Sequence, residues 1–248
     1  MTVSWREAQK PFDTSVVRAS QAHAAEVYPE ESVGIVVDGE YIALENTHED
    51  PENHFKIDPD VLAEYAYQIE AVIHSHNLQI HRPQPSQKDM ETQMEWGIPF
   101  GIQLINESGP GNIIWFGDQL ETADLEARPY VFGVYDCFSI WRDYYKLELG
   151  IDLPDVPRDE NFYLNGQNLY EDHAAEFGFQ KVPFEDLQPN DIILLRIRSK
   201  DIPNHGIVYL GGDQGLHHMP FKASARESIN RYIRKESPMY HSVWRYSR

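Results

Sequence analysis

A polar stretch near the middle of the chain, DQLETADLEARP at residues 118–129, interrupts the apolar patterning on either side of it. The charge changes at the same place. Residues 1–121 carry 6 basic and 21 acidic side chains, a net charge of −15, whereas residues 122–248 carry 15 and 19, a net charge of −4. A chain of 248 residues is long for one domain and comfortable for two. We therefore predict two domains, residues 1–120 and 121–248, with different surfaces.

Both halves mix helical and strand patterns, which predicts an α+β fold in each. In the first half, apolar runs on both sides of an Asp-Gly pair at residues 38–39 predict a β-hairpin, and residues 14–29 and 58–69 have helical spacing. In the second half, residues 136–149 are strongly amphipathic. HGIVYLGGDQGLHHM, at residues 205–219, predicts another hairpin.

Composition excludes several classes of function. A net charge of −19 argues against nucleic-acid binding, because phosphate contacts need clustered Lys and Arg. No window reaches 18 apolar residues, so we expect no membrane span. The N-terminal MTVSWREAQKPFD lacks an apolar core segment, so we expect no secretory signal. A single cysteine means that no internal disulfide forms.

The stretch AVIHSHNLQIHRPQPSQKD, residues 71–89, has the spacing of a metal site. His74 and His76 stand at i and i+2 of a predicted strand, so their side chains point to one face. With Asp89, which opens the next helix, they would leave the fourth position of a zinc ion open for water, as catalytic sites do. Ser86 is then placed to hydrogen-bond an oxyanion. The alternative is a solvated polar loop in which SQKD is only a capping box.

This run resembles the JAMM metallopeptidase motif, a His-x-His followed by Ser-x-x-Asp. The family also has an upstream glutamate in a Glu-x-x-Gly setting, which EESVGIVV supplies here. The resemblance implies a mixed-sheet α/β domain with a Zn²⁺ cofactor. It implies that His74, His76 and Asp89 ligate the zinc. It also implies that Glu31 is the general base and that Ser86 stabilises the tetrahedral intermediate.

The loop after the two histidines departs from the JAMM pattern. Asn77 stands where the family has proline, and the nine residues between His76 and Ser86 make a longer loop than the pattern has. His81 lies in this loop and is either solvated or a substitute ligand.

Cys137 stands at the predicted N-terminus of the amphipathic helix, where the helix dipole and unpaired N–H groups favour a thiolate. The alternative is a small buried hydrophobe. His205 opens a predicted strand, and one of His217 and His218 on the return strand faces it. An imidazole beside the thiol would create the ion pair that cysteine peptidases use.

Two segments of the second half, YDCFSIWRDYY and NHGIVYLGG, resemble the Asp-Cys helix start and the His-Gly-Ile-x-Tyr-Leu-Gly strand of NlpC-type cysteine peptidases. That family has a reduced papain-like α+β fold. The resemblance implies that Cys137 is the nucleophile, His205 the base and acid, and His217 the residue that orients the base. It also implies that the Cys137 backbone N–H contributes to an oxyanion hole, with Tyr130 nearby.

A JAMM unit followed directly by an NlpC-type unit is similar to the tail-tip proteins of lambda-type siphophages. The resemblance implies other phage tail-tip proteins as partners, and amide bonds of peptidoglycan stem peptides as substrate. It implies a location in the host cytoplasm during assembly and then in the virion tail tip. A second hypothesis is a structural or assembly component of the tail tip in which both sites are silent.

Overall fold

The computed structural model describes residues 2–197, 199–234 and 237–247. The chain divides into two compact units, Met1–Ala123 and Asp124–Arg248. Each unit combines helices with one sheet, so the predicted mixed α+β class is confirmed. Among the described residues, no helix has the length and apolar character needed to cross a bilayer.

The first unit holds a five-stranded sheet of order β2-β1-β3-β4-β5, in which β3 and β4 are parallel and the other neighbours antiparallel. Helix α4 makes the crossover between the parallel pair. The elements are α1 (Trp5–Ala8), α2 (Thr14–Val27), β1 (Val33–Val37), β2 (Glu40–Leu44), α3 (Pro59–Glu64), β3 (Ala71–Asn77), α4 (Gln87–Trp96), β4 (Phe100–Asn106) and β5 (Gly109–Phe116).

Helix α2 covers one face of this sheet. Val16 of α2 belongs to an apolar cluster with Ile73 of β3 and Trp115 of β5. Successive side chains of a strand point to opposite faces. His74 and His76 therefore share the face opposite that of Ile73. This is the face away from α2.

Two details of the first unit follow from local sequence. Asp38 and Gly39 both have positive φ, 50° and 72°, as a two-residue type I′ hairpin turn requires. The helix predicted over residues 58–69 is wrong in length, since α3 ends at Glu64. None of the α3 residues is buried, so no tertiary packing extends the helix, and Tyr67 turns to a φ of 68°.

The second unit holds a six-stranded antiparallel sheet of order β10-β9-β8-β7-β11-β6. Neither β6 nor β10, the two four-residue strands at the edges of the sheet, was predicted from the sequence. The elements are α5 (Cys137–Leu149), α6 (Leu169–Glu176), β6 (Phe179–Val182), β7 (Ile192–Leu195), β8 (His205–Gly211), β9 (Gln214–His217), β10 (Ala225–Ser228) and β11 (Tyr240–Tyr246).

The two faces of this sheet carry different cores. One packs against α5, whose Phe138 and Trp141 join Leu194 and Val208 in the larger apolar cluster. The other carries Ile193, Leu195 and Ile207 with Ile229 and Tyr232. Neighbouring residues of β7 and β8 thus alternate between the two clusters, as the pleat requires.

Candidate active sites

Strand β3 and the first turn of α4 bring three potential ligands together. The Nε2 atoms of His74 and His76 lie 3.2 Å apart, and each faces one oxygen of Asp89, at 3.3 Å from His74 and 3.5 Å from His76. The three ligand atoms lie within 4.8 Å of one another, and all three residues are buried. Two imidazole nitrogens and a carboxylate are a donor set that zinc prefers.

The hydrogen bonds around this cluster favour a cation. His76 Nδ1 lies 3.2 Å from the carbonyl oxygen of Arg82, which places the proton on Nδ1 and leaves the Nε2 lone pair facing inward. His74 stacks on Phe55, with 4.6 Å between ring centroids. Burial opposes ionisation of Asp89, but its interactions with His74 and His76 outweigh burial and hold the pKa of Asp89 well below its usual range.

Glu31 reaches the same face through the register of β1 and β3. Val33 pairs with His74, and the Ser32 backbone N–H donates to Ser75 Oγ at 2.8 Å, so continuing the antiparallel register puts Glu31 opposite His76. Glu31 is 3% exposed. Burial raises the pKa of its carboxyl to about 8; the negative charge of Asp89 adds to this and His76 opposes it. Such a group binds and releases a proton near neutral pH.

Ser86 contacts the cluster through Asp89. The Ser86 backbone N–H and hydroxyl both donate to Asp89 Oδ2 at 2.7 Å, and the Asp89 backbone N–H donates to Ser86 Oγ at 3.1 Å. The predicted capping box therefore forms, and the same carboxylate also faces the histidines. In this arrangement the serine hydroxyl orients a candidate ligand.

The longer loop after β3 folds back over the cluster. The carbonyl of Asn77 accepts hydrogen bonds from the backbone N–H groups of Ile80 and His81. The His81 ring then lies 4.9 Å from the His76 ring, and its Nε2 lies 3.4 Å from a Glu31 oxygen. His81 is thus half-buried next to the candidate base.

In the second unit, Asp136 caps α5 and fixes the start of the helix. Its carboxylate accepts from the backbone N–H groups of Gly133, Phe138 and Ser139 at 2.8 to 2.9 Å. Arg158, which is 2% exposed, donates to the same carboxylate from Nε and Nη2. This network holds the first turn of the helix.

Cys137 is the first residue of α5 and is 6% exposed. Its sulfur lies 2.9 Å from the Tyr170 hydroxyl and is hydrogen-bonded by the Gly206 backbone. Burial raises the pKa of the thiol to about 11, and the charge of Asp136 adds to this effect. This differs from the expected thiolate, because desolvation outweighs the position at the helix start. Across the described chain, no hydrogen bond joins the thiol to His205.

The two predicted histidines of this site meet on adjacent strands. The register of β8 and β9 puts His217 opposite Ile207, so His205 is its diagonal neighbour on one face. His205 Nε2 lies 3.0 Å from His217 Nδ1. Burial, followed by the neighbouring histidines, holds the pKa of His205 well below its usual range. His218 points to the other face, where its ring lies edge-on to Tyr130 at 5.2 Å.

Two residues at this site were not found from the sequence. Glu227 of β10 places Oε1 2.8 Å from His217 Nε2 and extends the line of hydrogen bonds. Tyr170 of α6 provides the hydroxyl beside the sulfur. Only the pairing of β9 with β10, in which Ala225 is opposite His217, would have indicated Glu227 two residues further along.

The chain is similar to several known proteins. The model of the NlpC/P60 family matches residues 127–245. Tail tip assembly protein K of Escherichia phage lambda is 35% identical over 184 residues, which cover 74% of this chain and 85% of that protein. Tail tip assembly protein K of Escherichia phage N15 is 29% identical over 224 residues, which cover 87% of this chain and 89% of that protein.

Solved structures show weaker likeness. An NlpC/P60 family protein from Bacillus cereus is 15% identical, with 95% of this chain and 67% of that chain covered and a TM-score of 0.34. A protein from Desulfitobacterium hafniense is 18% identical, with 50% and 90% covered and a TM-score of 0.30. These scores carry no argument about the fold, so the assignment depends on the sequence relatives. The chain therefore belongs to the family of tail tip assembly protein K and carries an NlpC/P60 domain in its second half.

Proposed function

We propose that this chain is a phage tail-tip component whose second unit is a cysteine endopeptidase that acts on amide bonds of peptidoglycan stem peptides. The line of hydrogen bonds from Glu227 through His217 to His205 carries the proposal. It ends beside Gly206, the residue whose backbone bonds the Cys137 sulfur. The names of the two phage relatives support the tail-tip role.

The line of hydrogen bonds assigns the ring protons. A carboxylate only accepts, so His217 carries its proton on Nε2 and donates to Glu227. His217 Nδ1 is then an acceptor, so His205 donates to it from Nε2. His205 Nδ1 is left with a lone pair and is the atom that would accept the thiol proton.

The proposed reaction begins when the Cys137 sulfur and the His205 ring come into contact and His205 Nδ1 takes the thiol proton. The thiolate attacks the carbonyl carbon of the substrate amide, a carbon–sulfur bond forms, and the carbonyl π electrons move to oxygen. When the tetrahedral intermediate collapses, the carbon–nitrogen bond breaks and His205 returns its proton to the leaving amine. Water then hydrolyses the thioester, with His205 again as base and acid.

Purified full-length chain, incubated with muropeptides, tests this proposal. We expect new free amines to appear with the wild type and none with Cys137→Ala, because the nucleophile is missing. The same assay with chain assembled in tails covers an activity that depends on assembly. Absence of amine release by the wild type in both forms would overturn the peptidase function.

The first unit supports a second candidate activity, zinc-dependent amide hydrolysis of JAMM type. Its support is the buried cluster of His74, His76 and Asp89, with Glu31 on the same face. Bound there, zinc would supply Lewis-acid chemistry at the substrate carbonyl. Glu31 would hold the proton removed from the attacking water and pass it to the leaving nitrogen, and Ser86 would keep Asp89 oriented.

Elemental analysis of the purified chain tests this second site. We expect about one zinc per chain in the wild type, as the three-ligand set implies, and loss of zinc from His76→Ala. Wild-type chain that takes up no zinc at neutral pH would contradict the site. His23→Ala is the matched control, because His23 hydrogen-bonds Tyr41 and lies outside the cluster of His74, His76 and Asp89.

A silent structural or assembly role is the alternative, and the buried thiol with its raised pKa supports it. Under either reading, other tail-tip proteins are the proposed partners, and the acidic first half is available to a basic surface on one of them. We also propose that the chain is made in the host cytoplasm and then carried at the tail tip. Phage with Cys137→Ala or Glu31→Gln separate the readings. Normal plaques from both favour the silent role, whereas lost plaques with intact tails favour catalysis.

A further inference from the structure

The hydroxyl group of Tyr170 occupies a place in the thiol site that the proposed reaction has not used. Tyr170 is the second residue of α6, is 3% exposed, and places its oxygen 2.9 Å from the Cys137 sulfur. Among the described residues, no hydrogen bond joins Tyr170 to the line from His205 through His217 to Glu227. A second polar group thus meets the sulfur from a separate element.

The Tyr170 ring is held firmly, so the contact is part of the fold. Its ring packs edge-on against Phe162 with 5.6 Å between centroids, and it also contacts Phe138. The next residue, Glu171, ties α6 to neighbouring elements, since its carboxylate lies 3.2 Å from Lys181 Nζ and 3.1 Å from His241 Nε2. The edge strand β6 and its neighbour β11 therefore both help to position α6.

The chemistry decides the direction of the hydrogen bond during catalysis. Burial, followed by the adjacent sulfur, keeps the pKa of Tyr170 well above its usual range, so the hydroxyl keeps its proton. A thiolate has no proton to donate, so an ionised Cys137 can only accept from Tyr170. A hydrogen bond to a charged acceptor is roughly twice as strong as one between neutral groups.

The same hydroxyl is also placed for the next species in the reaction. The oxyanion is the oxygen bonded to the carbon that the sulfur attacks. A donor within hydrogen-bond distance of the sulfur therefore lies close to that oxygen. Catalytic donors of this type act when they are aimed at the charge that develops in the transition state.

We propose that Tyr170 is a further catalytic residue of the thiol site, whose hydroxyl donates first to the Cys137 thiolate and then to the oxyanion of the tetrahedral intermediate. The proposal rests on the proposed cysteine peptidase function. The competing reading is that the hydroxyl merely masks the thiol and has to leave before reaction.

The test compares full-length wild type with Tyr170→Phe, which keeps the ring and removes only the hydroxyl. Because Cys137 is the only cysteine, alkylation by iodoacetamide reports on it alone. We expect the variant to react about tenfold more slowly at pH 8, the effect of losing a hydrogen bond to a charged group. Tyr163→Phe, in the segment before α6, is the matched control and should react like the wild type. A Tyr170→Phe variant that reacts at the same rate or faster would overturn the proposal.

Two further measurements keep the outcomes distinct. Cooperative urea unfolding of both variants checks that the fold is intact. With an active wild type, we expect Tyr170→Phe to lower kcat and leave KM unchanged, whereas a masking role predicts a higher kcat. Slower alkylation of Tyr170→Phe together with an inactive wild type would refute the peptidase function and leave the thiolate contact standing.

Discussion

At the scale of single residues, the two sites differ in what the sequence could reveal. His74, His76 and Asp89 lie within sixteen positions of one another, and a strand followed by a helix start is enough to bring them together. The thiol site takes Tyr170 and Glu227 from separate elements, where only helix packing and strand register decide which residue arrives. Local patterns carry no information about those contacts.

Glu31→Gln tests the buried carboxyl through the stability of the chain. The pKa of Glu31 is raised from 4.5 to about 8, so its protonated form favours folding. That stabilisation is complete below pH 4.5 and is lost as the pH rises through 8, at about 1.4 kcal/mol per pKa unit. We expect the free energy of unfolding of Glu31→Gln, relative to wild type, to rise between pH 5 and 8 in the presence of EDTA.

The measurement is urea unfolding at a series of pH values. Glu30→Gln is the matched control, because the side chain of Glu30 is exposed and its replacement should show no such trend. A difference between Glu31→Gln and wild type that does not change with pH would show that the carboxyl ionises normally.

Glu227→Gln tests the line of hydrogen bonds in the thiol site. A carboxylate only accepts a hydrogen bond from His217, whereas the amide of glutamine can either accept or donate. The position of the proton on the His217 ring is then no longer fixed. We expect kcat/KM for amide cleavage to fall at least about tenfold, as for other residues that orient a catalytic imidazole. Glu148→Gln is the control, since Glu148 pairs with Arg226 away from the histidines. Unchanged kinetics would exclude Glu227 from the mechanism.

At the scale of elements, the sequence predicted the long and strongly patterned segments well. Helices α2, α4 and α5 and both hairpins follow from apolar spacing, caps and turn residues. The short polar edge strand β10 has no apolar pattern, and only its hydrogen bonds to β9 define it. Helix α3 was predicted too long because its propensity has no core contact to support it.

Arg158→Ala tests the network that holds the start of α5. The guanidinium donates to Asp136 and Asp155, and both it and the Asp136 carboxylate are buried. Removing one partner of a buried ion pair leaves the other charge unpaired, which costs about 3 to 5 kcal/mol. We expect a loss of that size in urea unfolding. Arg231→Ala removes an exposed guanidinium and should lower the free energy of unfolding far less. An equally small loss for Arg158→Ala would show that the buried network contributes little to stability.

At the scale of the whole molecule, the polar segment and the charge step indicated two halves, and the chain forms two compact units with separate sheets. Beyond the two predicted hairpins, the order of strands within each sheet could not be predicted from the sequence, because most of the other pairing partners lie far apart along the chain. The class of fold follows from element patterns, whereas the pairing of β7 with β11, for example, depends on packing.

Removal of zinc should affect the two units differently. A ligand that binds only the folded state stabilises it by about 4 kcal/mol at a thousandfold excess over its Kd. We expect calorimetry to show two unfolding transitions, of which EDTA shifts only the one belonging to the first unit. His76→Ala should already show the shifted transition and not respond to EDTA. A shift of both transitions, or of neither, would contradict a zinc site confined to the first unit.

The double role of Asp89 has a practical consequence. Its carboxylate caps the N-terminus of α4 and also faces His74 and His76. Replacing Asp89 therefore removes a helix cap and a candidate metal ligand together. If a substitution of Asp89 abolished infectivity, the loss would not distinguish between misfolding of the first unit and loss of its chemistry. Glu31, which caps no helix, is the cleaner place at which to switch off the first unit.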